Sequence, residues 1–374
     1  MRNWLEVDLN KLAHNVDTVR EILPEGCDLI AVVKANAYGH GEGKIARALE
    51  ELGVSRFAVA SLGEATNIRN EGVSGDVLVL SYVDPKDVLE AARDNITLAV
   101  ISKEHAIALS DEAKKNNVNI KVHVKLNTGM NRVGFDCCEK EELEELASIY
   151  KLEGLDFTGI FSHFSSSDDL SDGADEYTKL QLERFENTLE YLKEKNINVG
   201  LRHISNSGGI GKYPNARFDA VRCGALLYGY NTAVDAPLPV VPIGSWKSVV
   251  SSVRTLKKGE AVSYSRHYIA KGGEKIATLC VGYADGYKRA LGGKESSNAF
   301  VLINGKRCEI VGSICMDQMM VNVTDASVNA GDIAILMSED LTADELAERA
   351  GTCMHDIIAC IGPRVERVYK QLDY

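Results

Sequence analysis

Between residues 28 and 230, short apolar runs alternate with longer amphipathic stretches. Apolar runs at 28–33, 57–61, 77–81, 97–101, 120–126, 157–163, 200–204 and 220–228 read as strands. Helical spacing of apolar residues fills most of the gaps, at 43–52, 63–70, 85–94, 104–116, 139–150 and 176–195. Alternation of this kind predicts a parallel sheet, and the eight repeats predict a closed (β/α)8, TIM-like barrel. A doubly wound open sheet is the rival architecture, but eight units fill a barrel without remainder.

Beyond residue 230 the pattern changes. Residues 235–243 carry Pro237, Pro239 and Pro242, which suits an extended connector. Short β-branched runs follow at 249–256, 275–281, 299–303, 308–314, 319–323 and 332–336, separated by turn residues such as Asn304 and Gly305. Residues 341–349 read as the one clear helix there, with Thr342 near its start. Residues 4–9 read as a strand with little helical company. The expected organisation is a barrel over 10–234 and a mostly β domain over 235–374 joined by the N-terminal strand 1–9.

A chain of 374 residues exceeds one ordinary core, which agrees with two domains. The net charge of −12 argues against nucleic acid or an anionic membrane surface as partner, so an anionic ligand must be held by a few local groups. The N-terminus carries no apolar signal region and no run is long enough to span a bilayer. Nine scattered cysteines include no pair with zinc spacing. Free thiols in a reducing cytoplasm and no metal site are therefore expected.

The chemistry concentrates in segment 31–41, Ala-Val-Val-Lys-Ala-Asn-Ala-Tyr-Gly-His-Gly. Lys34 ends a buried strand, where burial lowers an amine's pKa and frees it as a nucleophile. A surface lysine opening an ordinary strand-to-helix loop is the plainer alternative. Other polar residues recur at strand ends, where barrel active sites gather: Arg132 after the fifth strand, His163 after the sixth, His203, Asn206 and Ser207 after the seventh, Arg222 and Gly224 near the eighth. Polar groups from five strand ends converging on one mouth point to a site.

Segment 31–41 closely resembles the cofactor-lysine motif of the alanine racemases, and further matching segments follow in family order from Trp4 to Tyr374. The resemblance implies pyridoxal 5'-phosphate attached to Lys34, with its phosphate reached by Tyr38, Ser207 and the backbone at Gly224 and Ala225, and with Asn206 also binding the cofactor. Arg222 would face the ring nitrogen and His163 would lie beside the ring. A guanidinium keeps its proton and donates to an unprotonated ring nitrogen, which makes a weak electron sink suited to moving only a proton. The racemase's second base is a tyrosine in a Val-Ser-Tyr motif, here Tyr264. A phenol near pKa ~10 needs a neighbouring cation to serve, and Arg132, also the implied substrate-carboxylate contact, is the candidate. Without the resemblance, Tyr264 reads as an ordinary aromatic of the β domain.

The family places this tyrosine in the other subunit's site, together with positions matching Met316, Asp317 and the entrance residue Tyr283. A head-to-tail homodimer is thus implied. Lys125 matches a position that in some members carries a carbamate; a strand lysine paired with a carboxylate is the alternative. Two departures stand out. His355, before Asp356, occupies the cofactor-binding place where the family commonly has a tyrosine that lines the substrate pocket and touches the phosphate, and Ser265-Arg266 follows Tyr264 where a glycine often comes first. The expected activity is alanine racemisation, which supplies D-alanine for peptidoglycan. The change at His355 raises serine, or both amino acids, as an alternative substrate. A decarboxylase or lyase on the same plan is disfavoured by Arg222, and a purely binding protein by the large β domain.

Overall fold

The computed structural model describes residues 1–293 and 298–372. It divides into two compact units: Leu12–Ala37 with Glu42–Val240, and Met1–Lys11 with Tyr38–Gly41 and Val241–Tyr374.

In the first unit, eight parallel strands lie in the order Ala220–Cys223, Asp28–Val32, Arg56–Val59, Asp76–Val79, Ile96–Val100, Ile120–Asn127, Leu155–Phe161 and Leu201–His203. Backbone bonds from Asp219 N to Arg202 O (3.1 Å) and from Arg222 N to Ser205 O (3.0 Å) bring the two end strands together, so the barrel is nearly closed. Strands buried on both faces read as continuous apolar runs, and Ile96–Val100 is buried at every position. The covering helices are amphipathic: Glu42–Glu51 buries Ile45, Ala46, Ala48 and Leu49. Ser61 and Ser102 cap two helices, each accepting a backbone N–H three residues on at 3.2 Å.

The predicted strand 220–228 is shorter than expected. It stops at Cys223, and Ala225–Tyr228 winds into a 3-10 turn ended by Gly229 in the left-handed region. The helix Leu9–Ile22 starts directly at the end of the first strand, so the N-terminal strand does have a helix beside it in sequence.

In the second unit, Gly244–Thr255 is the central strand. It pairs with Asn3–Asp8, Ile333–Met337 and Lys275–Leu279, and Asn3–Asp8 pairs in turn with Glu366–Lys370. The last strand and the helix Met354–Ala359 were absent from the sequence reading. Trp246 and Tyr287, both buried and 5.6 Å apart edge to face, anchor this core. All nine cysteines are free thiols. Among the described residues no helix is long and apolar enough to cross a membrane, and no acidic, histidine or cysteine cluster could hold a metal.

Candidate active site

The strand Asp28–Val32 delivers Lys34 to the C-terminal rim of the barrel. The backbone then turns left-handed through four consecutive non-glycine residues: Ala35, Asn36, Ala37 and Tyr38 have φ between 52° and 55°. Such residues cost roughly 1–2 kcal/mol each, so their surroundings must impose the turn. Glu64 does so with one oxygen on Ala35 N and the other on Ala60 N, both at 2.7 Å. Asn36 Oδ1 accepts from Glu42 N at 3.0 Å, and Ala37 N reaches Val33 O at 2.9 Å. Gly39 follows at φ 85°, and a Cβ there would lie 2.1 Å from Ile358 O.

Burial lowers the proton affinity of Lys34, and the charges of Arg132 and Arg222 add to this against the opposing pull of Glu64. Lys125 is buried on the strand Ile120–Asn127. Its Nζ donates to Leu126 O at 3.1 Å and lies 5.1 Å from the centre of the Phe161 ring. No carboxylate pairs with it among the described residues, contrary to one alternative reading of the sequence. Burial, followed by Arg222 and Arg132, pushes its pKa far down. Arg132 itself is exposed on the loop beyond that strand.

Arg222 is held on most sides. Its Nη1 donates to His203 Nδ1 (2.7 Å) and His203 O (3.2 Å). Its Nη2 serves Ser162 O (2.7 Å), Ile204 O (2.8 Å) and His163 Nδ1 (3.0 Å). Among the described residues these bonds leave Nε–H as its uncommitted donor. Burial and Arg132 lower Arg222 to about 9, still protonated at neutral pH. His163 and His203 are pushed well down, first by burial and then by Arg222, so both are neutral. Phe161 forms the floor, stacked on His203 (5.1 Å, 5°) and 5.5 Å below the guanidinium.

Ser207 opens the helix Ser207–Lys212, and its Oγ accepts from Gly224 N at 3.1 Å, which leaves the hydroxyl hydrogen to donate. Ala225 follows at the head of the 3-10 turn. Asn206 is occupied as a cap: its Oδ1 accepts from Gly209 N and Ser167 Oγ, and its Nδ2 donates to Phe164 O.

These residues fit pyridoxal phosphate. There is an amine held toward its neutral form, a guanidinium N–H left for a ring nitrogen, a hydroxyl free to donate, and a cationic neighbourhood for an anion in an acidic chain.

The remaining candidates lie in the second unit. Tyr38 and His355 have ring centroids 5.8 Å apart, and Asp344, raised by burial, feels the charge of His355. Tyr264, Met316 and Asp317 line one open groove. Ser313 Oγ donates to Tyr264 O at 3.4 Å, and Tyr283 N and Ala284 N donate to Cys315 O and Met316 O at 3.0 Å, so these loops form one set. Asp317 accepts from Arg364 at 2.6 Å. Ser263, Ser265 and Arg266 all take positive φ, at 63°, 59° and 54°. The glycine that often follows the family tyrosine would be at home there, and here serine holds the position.

Two residues of this arrangement were missed in the sequence, His123 and Phe161. The available signal was the alternation of Lys121, His123 and Lys125 along a barrel strand, where inward positions are usually apolar.

Residues 7–232 match the family description "Alanine racemase, N-terminal domain", and residues 243–369 match "Alanine racemase, C-terminal domain". Alanine racemase 1 of Clostridium acetobutylicum is 40% identical over 98% of this chain and 95% of its own. The structure of alanine racemase from Clostridium difficile 630 in complex with cycloserine superposes with a TM-score of 0.91 at 33% identity, over 99% of this chain and 96% of that one. Alanine racemase from Bartonella henselae with covalently bound pyridoxal phosphate gives 0.86 at 27% identity, over 99% and 100%. These similarities do not favour the serine alternative that His355 raised.

Proposed function

The chain belongs to the alanine racemase family, and we propose that Lys34 and Tyr264 are the two bases with which it interconverts L- and D-alanine. It is a pyridoxal-phosphate-dependent alanine racemase. The observation that carries the residue assignment is the pairing of Lys34, its proton affinity lowered by burial, with the fully held Arg222 and its spare Nε–H. Bound pyridoxal phosphate supplies the electron sink that makes the Cα proton of an attached amino acid acidic.

The amine of Lys34 takes or returns the Cα proton on one face. Arg132 would pair with the substrate carboxylate, Ser207, Tyr38 and the backbone at Gly224 and Ala225 would hold the phosphate, and the Nε–H of Arg222 would be the donor for the ring nitrogen. Inversion needs a second base on the opposite face, and Tyr264 from a second copy of the chain fills that role, with Met316, Asp317 and Tyr283 around it. The exposure of Tyr264 and Met316, at 70% and 52%, supports a homodimer that covers them. Lys125 is suited to carry a carbamate. Burial favours the neutral form of its amine, which would add to carbon dioxide with loss of a proton, and Arg222 and Arg132 would favour the resulting anion. We read 10–234 as the cofactor domain and 235–374 with 1–9 as the β domain, and place the enzyme in the cytoplasm, making D-alanine for peptidoglycan.

The test is racemisation of L-alanine and L-serine side by side with added cofactor, read by chiral chromatography. Alanine turnover should dominate; no turnover of either overturns the activity. Comparable serine turnover would make His355 a specificity residue. Mixing Lys34→Ala with Tyr264→Phe protein should restore activity, because a mixed dimer contains one intact site. No restoration after confirmed exchange of subunits overturns the shared site.

A further inference from the structure

The polar contacts of Arg222 do not end at His203. His203 Nε2 lies 3.0 Å from His123 Nδ1, deep in the barrel, and both rings are buried. The direction of this chain is forced. A guanidinium has donors only, so Nδ1 of His203 must accept from Arg222. A neutral imidazole accepting at one nitrogen carries its hydrogen on the other, so His203 donates from Nε2. His123 must then accept at Nδ1 and carry its own hydrogen on Nε2. Burial pushes His123 down to about 3 and His203 well below its usual range, so neither ring takes a second proton to break the sequence.

The fold makes room for His123 in two independent ways. The pairing between Ile120–Asn127 and Leu155–Phe161 shifts register between Val122 and His123. The residue opposite His123 is Gly159, where a Cβ would lie 2.6 Å from the His123 ring. A glycine inside a strand costs stability and commonly marks close approach of another group. His123 also borders a cavity at the N-terminal foot of the barrel, with Arg56, Asp76, Thr97, Lys121 and Thr158.

We propose that His123 is a positioning residue for the reaction: it ends a one-way hydrogen-bond chain, Arg222 to His203 to His123, that fixes the orientation of the Arg222 guanidinium at the barrel mouth. Without an acceptor at 123, the Nε2–H of His203 loses the partner that fixes its direction. His203 then relieves this by turning or by moving its hydrogen to Nδ1, and either change removes the acceptor that orients Arg222. The kinetic side of this inference rests on the racemase reading; the hydrogen positions do not.

The experiment compares His123→Leu with His123→Asn as holoenzymes. The Asn Oδ1 stands near the place of Nδ1 and restores an acceptor, whereas Leu restores only bulk. His123→Leu should shift the visible absorbance of the bound cofactor and lower kcat about tenfold with KM for alanine nearly unchanged, the scale on which outer partners act at metal sites. His123→Asn should recover the parent spectrum and most of kcat. Equal impairment of the two variants, or a parent-like Leu variant, overturns the proposal. Nitrogen–proton correlation spectra of the labelled parent enzyme decide independently, should the Leu variant fail to fold. His123 and His203 must both be neutral with hydrogen on Nε2, and hydrogen on Nδ1 of either overturns it. Absent racemisation by the parent would instead overturn the functional reading and leave that tautomer result standing.

Discussion

The barrel mouth and the Tyr264 groove handle their reactive groups in opposite ways. In the barrel, Arg222 and His203 are buried and tied down: Arg222 alone donates to five acceptors. In the groove, Tyr264 is 70% exposed and its phenol makes no hydrogen bond among the described residues. The first set is organised by its own unit. The second is held in place largely through its backbone, by positive-φ serines and by loop-to-loop bonds, while the side chains of Tyr264 and Met316 are left exposed. Burial of cations shifts their protonation and so tunes chemistry in advance. The phenol of Tyr264, by contrast, is left for whatever covers it.

Replacing the exposed phenol is the most direct attack on this contrast. Tyr264→Phe should reduce racemisation by roughly 10²–10⁴-fold, the range of a lost general base, while the visible absorbance of bound cofactor and the thermal midpoint stay put. Parent-like activity would make the groove a bystander.

Next in size is a change at the turn behind the lysine. Gly39→Ala forces a Cβ to within 2.1 Å of Ile358 O at a φ that L-residues avoid. Stability should fall by more than about 2 kcal/mol, read from the urea midpoint. A smaller loss would mean that the turn yields easily.

The buried set has its own pH signature. Lys125 has a folded pKa below its unfolded one, so the unfolded chain binds more protons, and stability rises with pH up to the unfolded value. In carbonate-free buffer, Lys125→Met should flatten that slope and stabilise the apoprotein near neutral pH by about 1 kcal/mol or more. Bicarbonate should stabilise the parent but not the variant if the carbamate forms. Identical pH profiles for the two proteins would mean that the amine is not held neutral.

The smallest effect concerns the groove backbone. Ser265→Gly should raise stability by no more than about 1 kcal/mol, since glycine takes φ 59° without strain but loses more entropy on folding. A clear loss would show that the serine side chain, and not the backbone, holds the loop.

Much of this was legible in the sequence because the barrel repeats one rule. Apolar runs buried on both faces stand out wherever helices separate them, and all eight strands appear near their predicted places. The polar residues at their ends follow from the same rule. What escaped lacked a local signal. The helix Leu9–Ile22 abuts a strand with no turn residue between, although Leu12, Val16 and Val19 carry the helical spacing. Met354–Ala359 is too short to show a period. At 225–228 the apolar run continues while the backbone changes type, and only Gly229 hints at it. The contact of His123 with His203 joins residues 80 apart and is visible only in three dimensions. Ala35, Asn36, Ala37 and Tyr38 have, Asn36 apart, no preference for the left-handed region, so no propensity could announce that turn.

That turn has a consequence for when the enzyme comes into being. The residues that follow it are fastened by the far end of the chain: Arg367 donates to Gly39 O at 3.0 and 2.8 Å, and Tyr369 to His40 O at 2.9 Å. A nascent chain that has exposed segment 31–64 already has Glu64 to bend the lysine's neighbours, but Gly39 and His40 still lack their clasp. That clasp arrives only with Arg367 and Tyr369, 328 and 329 positions later. The stretch that follows the lysine is thus made among the first residues and completed among the last.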